Sequence, residues 1–238
     1  MIFRFGSKRR RLPLSERLFN RFVIKYYGRN LLVDLQLEAK RSSVEYIQRR
    51  MRQAMLMRDR WDLLEFALAR APKSGSILEF GVENGRSIRL LAERAERTVH
   101  GFDSFAGLPE DWRGTFERSG KFTQRGRLPK VPSNVHLHVG WFKDTLPRFL
   151  AENSDTVAFA HIDCDLYSST KTVLDHLADR IVPGSVLVFD EYFNYPNWQE
   201  HEFRAFQEFI AANGVSYEYL GLSVKNGHVA VRIAGTTS

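Results

Sequence analysis

Two rhythms of apolar and polar positions divide this chain. From Leu14 to Ala71 apolar residues recur at helical spacing, as in Val44, Ile47, Met51 and Met55, then Trp61, Leu64, Phe66 and Leu68, which predicts about three helices. Met51, Met55 and Met57 read as part of that helical stripe. After the turn APKSG at 71–75 the pattern changes to short apolar runs alternating with amphipathic stretches. The runs are SILEFG (76–81), TVHGFD (98–103), NVHLHVG (134–140), TVAFAHID (156–163) and SVLVFD (185–190). Between and after them lie the helical stretches GRSIRLLAERAE, DTLPRFLAEN, SSTKTVLDHLADRI and WQEHEFRAFQEFIAANG.

Near-continuous apolar runs separated by helices predict a mostly parallel sheet covered on both faces, a Rossmann-like α/β architecture. Two last runs, VSYEYLGL and HVAVRIA, flank SVKNG, and Asn226-Gly227 is a strong turn dipeptide, so the sheet is expected to end in an antiparallel hairpin. The expected organisation is a basic N-terminal helical segment over 1–72 and an α/β domain over 73–238. The stretch 104–133, rich in Gly, Pro and Arg, is too long for a plain connector and is expected to lie over the functional face.

Composition narrows the class. With 238 residues and 43% hydrophobic content the chain can bury a sizeable core. One cysteine excludes an internal disulfide and a multi-cysteine zinc site, as expected in a reducing compartment. No apolar run approaches a membrane span, and MIFRFGSKRRRL lacks the apolar core of a secretory signal, so a soluble cytoplasmic protein is expected. An organellar leader is disfavoured because LSERLFNRFVIKYY reads as a packing helix.

The net charge of +7 is concentrated at the start: residues 1–60 hold 16 Lys/Arg against 5 Asp/Glu, and the rest 19 against 23. Such a segment can attract nucleic acid, an anionic membrane or an acidic substrate, but a solvated helical face is the favoured reading.

In doubly wound sheets ligands bind at the carboxyl ends of the strands. After the first run, Glu79, Gly81 and Gly85 are spaced E-x-G-x-x-x-G at a strand-to-helix turn, where glycine lets backbone approach a ligand. The middle glycine of a dinucleotide fingerprint is missing, which disfavours an oxidoreductase, and Glu79 and Glu83 would repel phosphate, so a cationic ligand suits the loop. Asp103, 24 residues beyond Glu79, ends the second run where an acid can accept ribose hydroxyls.

With these residues the sequence resembles the class I S-adenosylmethionine-dependent methyltransferases. More narrowly, GFDSFAGLPEDW, GWFKDTLP and HIDCDLYSST resemble the macrocin O-methyltransferase family of antibiotic-sugar O-methyltransferases. The resemblance implies a seven-stranded sheet, S-adenosylmethionine as donor, and Mg²⁺-dependent transfer to a sugar hydroxyl of a natural product. It implies that Glu79 and the loop of Gly81, Glu83, Asn84, Gly85 and Ser87 hold the methionine part. Asp103 would meet the ribose, and Ser104, Phe105, Trp141 and Phe142 would surround the adenine.

The run VAFAHID ends at Asp163 and VLVFDEY at Asp190 and Glu191. On adjacent strands these three carboxylates converge, and they stay ionised together only with a cation among them. Oxygen ligands completed by water describe a magnesium site, with Asp163, Asp190 and Glu191 as the expected ligands. His161 is expected to orient a carboxylate or to abut the cofactor. The metal would acidify the acceptor hydroxyl and Asp163 would take its proton, with His161 or Asp165 as substitutes.

In the blander reading of DLYSST, Asp165 or Ser168 caps the following helix. Cys164 reads as a small buried filler. The family shows paired aspartates where this chain has Asp190-Glu191, followed by the unusual YFNYPNWQEHE, a departure that bears on the substrate.

Competing expectations are a metal-independent small-molecule methyltransferase and a non-catalytic protein whose basic N-terminus binds nucleic acid or membrane. The expected partners are a small-molecule hydroxyl acceptor and a second copy of the chain, with the N-terminal helices as lid or dimer contact and neither nucleic acid nor membrane as partner.

Overall fold

A computed structural model describes residues 13–236. The basic start at 1–12, which carries much of the N-terminal charge, lies outside the described residues. Three helices come first, α1 (Leu14–Tyr26), α2 (Leu31–Arg50) and α3 (Arg60–Leu68). Two of them start on side-chain caps of the expected kind. Asn30 accepts from Leu32 N, and Asp59 accepts from the Trp61 and Asp62 amides.

The sheet has eight strands. They are β1 (Met55–Met57), β2 (Ser76–Phe80), β3 (Val99–Asp103), β4 (Val135–Val139), β5 (Val157–Ile162), β6 (Val186–Phe189), β7 (Val215–Ser223) and β8 (Val229–Thr236). Their order is β1-β7-β8-β6-β5-β2-β3-β4, with β8 antiparallel to β6 and β7 and every other pairing parallel. The apolar runs and the terminal hairpin are therefore where the sequence places them. The expected count of seven is corrected by β1, which lies inside a stretch read as helix. Three residues are too few to display a period, and Met55 and Leu56 are exposed at the sheet edge, so no buried face marks them.

Helices α4 (Arg86–Ala95), α5 (Phe142–Glu152), α6 (Tyr167–Leu177) and α7 (Glu202–Asn213) fill the crossovers. Strands β2, β5 and β6 are buried along their whole length, and alternate residues feed two cores. Leu78, Phe80, Ala160, Ile162, Leu187 and Phe189 pack with α5, α6 and α7. Ile77, Phe159, Val186 and Val188 pack with Leu63, Leu64 and Ala67 of α3 and with Ile88 and Leu91 of α4. This period of two places Glu79, His161 and Asp163 on the α3/α4 side of the sheet.

The stretch 104–133 folds back on itself through mutual Leu108–Lys121 and Gly120–Leu108 backbone bonds and packs Leu108 and Trp112 against Leu166. The YFNYPNW segment is drawn inward. Tyr192, Phe193 and Trp198 are core residues, and Trp198 Nε1 donates to Ser42 Oγ of α2.

Candidate active site

Strand register builds a polar ladder inside an apolar sheet. Glu79 pairs with His161 across β2 and β5, and His161 with Val188 across β5 and β6. His161 Nδ1 lies 2.8 Å from Glu79 Oε1, and both side chains are fully enclosed. Two residues past Val188 stands Asp190, with Oδ1 3.6 Å from His161 Nε2 and 3.1 Å from Nδ1 of His228, the residue before β8.

Burial alone would lower the imidazole of His161, but the Asp190 and Glu79 carboxylates outweigh it and hold it up to about 10. The two imidazoles in turn overcome burial at Asp190 and hold its carboxyl far below the usual range.

Asp163 follows β5 directly. Its amide donates to Phe80 O, and its backbone lies so near Gly81 that a Cβ there, at φ +91°, would stand 1.9 Å from Asp163 O. The glycine turn and the carboxylate motif thus meet backbone to backbone. Burial, then the nearby Asp190 charge, raises the Asp163 carboxyl well above its ordinary value, with His161 as a partial offset. The same causes raise Glu191 to about 8.

At the glycine turn Asp103 does structural work the sequence did not disclose. Its Oδ2 accepts from the Val82 and Glu83 amides at 2.8 and 2.7 Å, and its Oδ1 from Phe105 N at 2.6 Å. The turn is thereby fixed in place, with Glu83 at φ +47°.

These elements enclose a cavity of about 810 Å³. Among the residues singled out in the sequence, Gly81, Glu83, Asn84, Ser87, Asp103, Ser104, Trp141 and Phe142 line it, as do Asp163, Asp190 and Glu191. Gly85 is buried beneath Pro129, while Glu79, His161 and Phe105 are buried and are not among the residues that line the cavity. Asp165 lines the cavity at φ +61° and does not cap α6, whose cap position is Leu166 and has no side-chain bond. Ser168 is not the cap either, since its Oγ donates to Glu110 Oε1 at 2.5 Å. Cys164 is buried, and burial followed by the Glu202 charge pushes its thiol up.

Three functional neighbours carried no mark in the sequence. Arg60, the first residue of α3, places Nη1 3.2 Å from Asp190 Oδ2 and Nη2 3.9 Å from Asp163 Oδ2. His228 steadies Asp190. Glu202, fully buried at the start of α7, accepts from Cys164 N and Glu191 N and so ties the two carboxylate motifs together. A basic residue in a basic helical segment and a glutamate in QEHEF resemble any solvated charge.

The residues fit a divalent cation. Ligand atoms of His161, Asp163 and Asp190 lie within 4.8 Å of one another, and among buried atoms His161 Nε2 and Glu79 Oε2 have no hydrogen-bond partner. Glu191 shares the cavity wall but not that group.

A family model described as a methyltransferase domain matches residues 78–192, from β2 to the turn after β6. Among its relatives are an 8-demethyl-8-(2,3-dimethoxy-alpha-L-rhamnosyl)-tetracenomycin-C 4'-O-methyltransferase from Streptomyces olivaceus and the mycinamicin III 3''-O-methyltransferase from Micromonospora griseorubida. The first is 34% identical over 143 residues, 50% of this chain and 53% of that protein. The second is 29% identical over 157 residues, 55% of this chain and 60% of that one. The chain thus aligns with little more than half the length of these curated relatives.

Two solved structures share the fold. A calicheamicin methyltransferase superposes with TM-score 0.58 at 23% identity, covering 94% of each chain, and the O-methyltransferase NovP with TM-score 0.53 at 22% identity, covering 74% of this chain and 79% of that one. No helix among the described residues is long and apolar enough to cross a membrane.

Proposed function

We propose that this protein transfers a methyl group from S-adenosylmethionine to a hydroxyl of a small molecule, such as a sugar of a natural product, with a divalent cation held at the carboxylates. The observation that carries this reading is that Asp163, Asp190 and the glycine turn line the wall of one cavity. The names of the sequence relatives, O-methyltransferases in each case, support it. S-adenosylmethionine supplies an electrophilic methyl on a sulfonium, and magnesium supplies a Lewis acid that acidifies a hydroxyl.

The chain's own residues do the rest. The turn from Gly81 to Ser87, fixed by Asp103, would hold the methionine part, and Glu83 on the cavity wall would offer an acid to its positive charge. Ser104, Trp141 and Phe142 bound the nucleoside end, Trp141 with enough exposure to offer a ring face. Asp190, held anionic by His161 and His228, would serve as a ligand, while Asp163 is the better proton acceptor because burial and the Asp190 charge raise it.

Asp163 would take the proton that the acceptor hydroxyl gives up as it receives the methyl group. His161, buried behind Asp190, positions that carboxylate. The helical segment to residue 72 covers the acceptor side or contacts a second copy, and α1 carries exposed Leu18, Phe19 and Phe22 for either. Unchanged turnover and oligomeric state after deletion of residues 1–40 would count against that role.

Calorimetry with S-adenosylmethionine, with and without magnesium, on wild type and Asp190→Ala, tests the reading. Cofactor binding by both and magnesium binding by wild type alone is the expected result. No cofactor binding at all would overturn it, and equal magnesium binding by both proteins would remove the metal.

A further inference from the structure

We infer that Arg60 is an exchangeable internal cation of the carboxylate group, so that Arg60 pairing and divalent-metal binding at Asp163 and Asp190 exclude one another. The inference rests on the metal reading above and adds a competitor from the chain itself.

The acids gathered here are Asp163, Asp165, Asp190 and Glu191 on the cavity wall, with Glu79 and Glu202 buried behind them. Against them stand His161 in β5, His228 just before β8 and, from the helical side, Arg60. Its guanidinium bridges Asp190 and Asp163, the two carboxylates that share the ligand group with His161. A dication on those oxygens would face a guanidinium whose Nη1 is already 3.2 Å from one of them. Like charges that close in a half-enclosed site cannot both be accommodated, so one must leave.

Two features make Arg60 the group that leaves. Its Nε is buried without a hydrogen-bond partner, so its present seat satisfies the guanidinium incompletely. Its carbon also lies 4.6 Å from the Trp61 ring, and Trp61 lines the same cavity, so the side chain has an aromatic face to slide along while remaining near the acceptor space. Helix α3 does not depend on the ion pair for its place. Leu63, Leu64 and Ala67 are fully buried, and Asp59 caps the first turn. Movement of one side chain is enough.

The test is Mn²⁺ binding by the full chain after chelator treatment, at pH 8, read by electron paramagnetic resonance of free Mn²⁺ and by calorimetry. Wild type is compared with Arg60→Gln and with Asp190→Asn. Arg60→Gln is expected to bind Mn²⁺ on the order of tenfold more tightly than wild type, as loss of one competing ion pair would give, and Asp190→Asn to lose the site. Equal or weaker binding by Arg60→Gln overturns the exchange while leaving the metal reading intact. Binding by neither wild type nor Arg60→Gln, or unchanged binding by Asp190→Asn, overturns both.

Should Arg60→Gln fail to fold, wild type gives the answer through arginine modification by phenylglyoxal, followed at Arg60 by mass spectrometry. Mn²⁺ is expected to speed the reaction at Arg60 several-fold as the guanidinium is released, and an unchanged or slower rate overturns the proposal.

Discussion

His161 Nδ1 and Glu79 Oε1 meet at 2.8 Å in a space with no exposure on either side chain, so the sheet carries a histidine–carboxylate pair in the middle of its apolar core. Removing one partner strands the other. Glu79→Leu, which takes the Nδ1 partner from a buried His161, is expected to cost about 3–5 kcal/mol, measured by urea unfolding. Glu79→Gln keeps a hydrogen bond and is expected to cost less than half of that.

Asp103 accepts three backbone amides, two of them from the glycine turn. Asp103→Ala should therefore do two things at once: lower stability by about 2–3 kcal/mol as buried donors lose their acceptor, and weaken S-adenosylmethionine binding by more than tenfold because the turn is no longer held. Thermal unfolding and cofactor titration read the two effects separately. A loss of affinity with full stability would mean that Asp103 contacts only the ligand.

Gly81 and Gly120 share a positive φ but not a neighbourhood. A Cβ at Gly81 would stand 1.9 Å from Asp163 O, whereas one at Gly120 meets nothing within 4 Å. Gly81→Ala is expected to destabilise by more than about 4 kcal/mol or to abolish soluble expression, and Gly120→Ala to cost about 1 kcal/mol from backbone strain alone. Comparable unfolding midpoints for the two variants would contradict the backbone contact between turn and carboxylate motif.

A histidine group on β3 and β4 sets an acid limit on stability. Burial, then the neighbouring His138 and His136, pulls His100 down to about 4. The unfolded chain titrates its histidine near 6.5, so between about 4 and 6.5 it binds more protons than the folded one. Stability from this group is full above pH 6.5 and is lost as pH falls toward 4. Urea midpoints at pH 7 and pH 5 should differ in wild type, and the difference should shrink in His100→Gln.

Much of the architecture was legible because it is written in local chemistry. Runs such as VAFAHI and VLVF are apolar on both faces because helices cover both faces, and KNG marks a hairpin because few residues tolerate its backbone. The carboxylates Asp163, Asp190 and Glu191 could be predicted to gather at one cavity wall from strand adjacency alone, and they do. Glu79 and Phe105 were assigned to the cofactor from their place in motifs, yet the pleat turns Glu79 into the sheet interior and φ +53° at Phe105 sends its ring into the core.

The sequence by itself determined the strands other than β1, the helices and hairpin turn that connect them, and which acids end the strands, since those follow from periodicity and residue type within a few positions. Only the tertiary structure decided what each acid would meet. Arg60 is 130 residues from Asp190, and Glu202 is 38 from Cys164. The charge state of every carboxylate here depends on such long-range neighbours and on burial, and a local pattern holds no record of either.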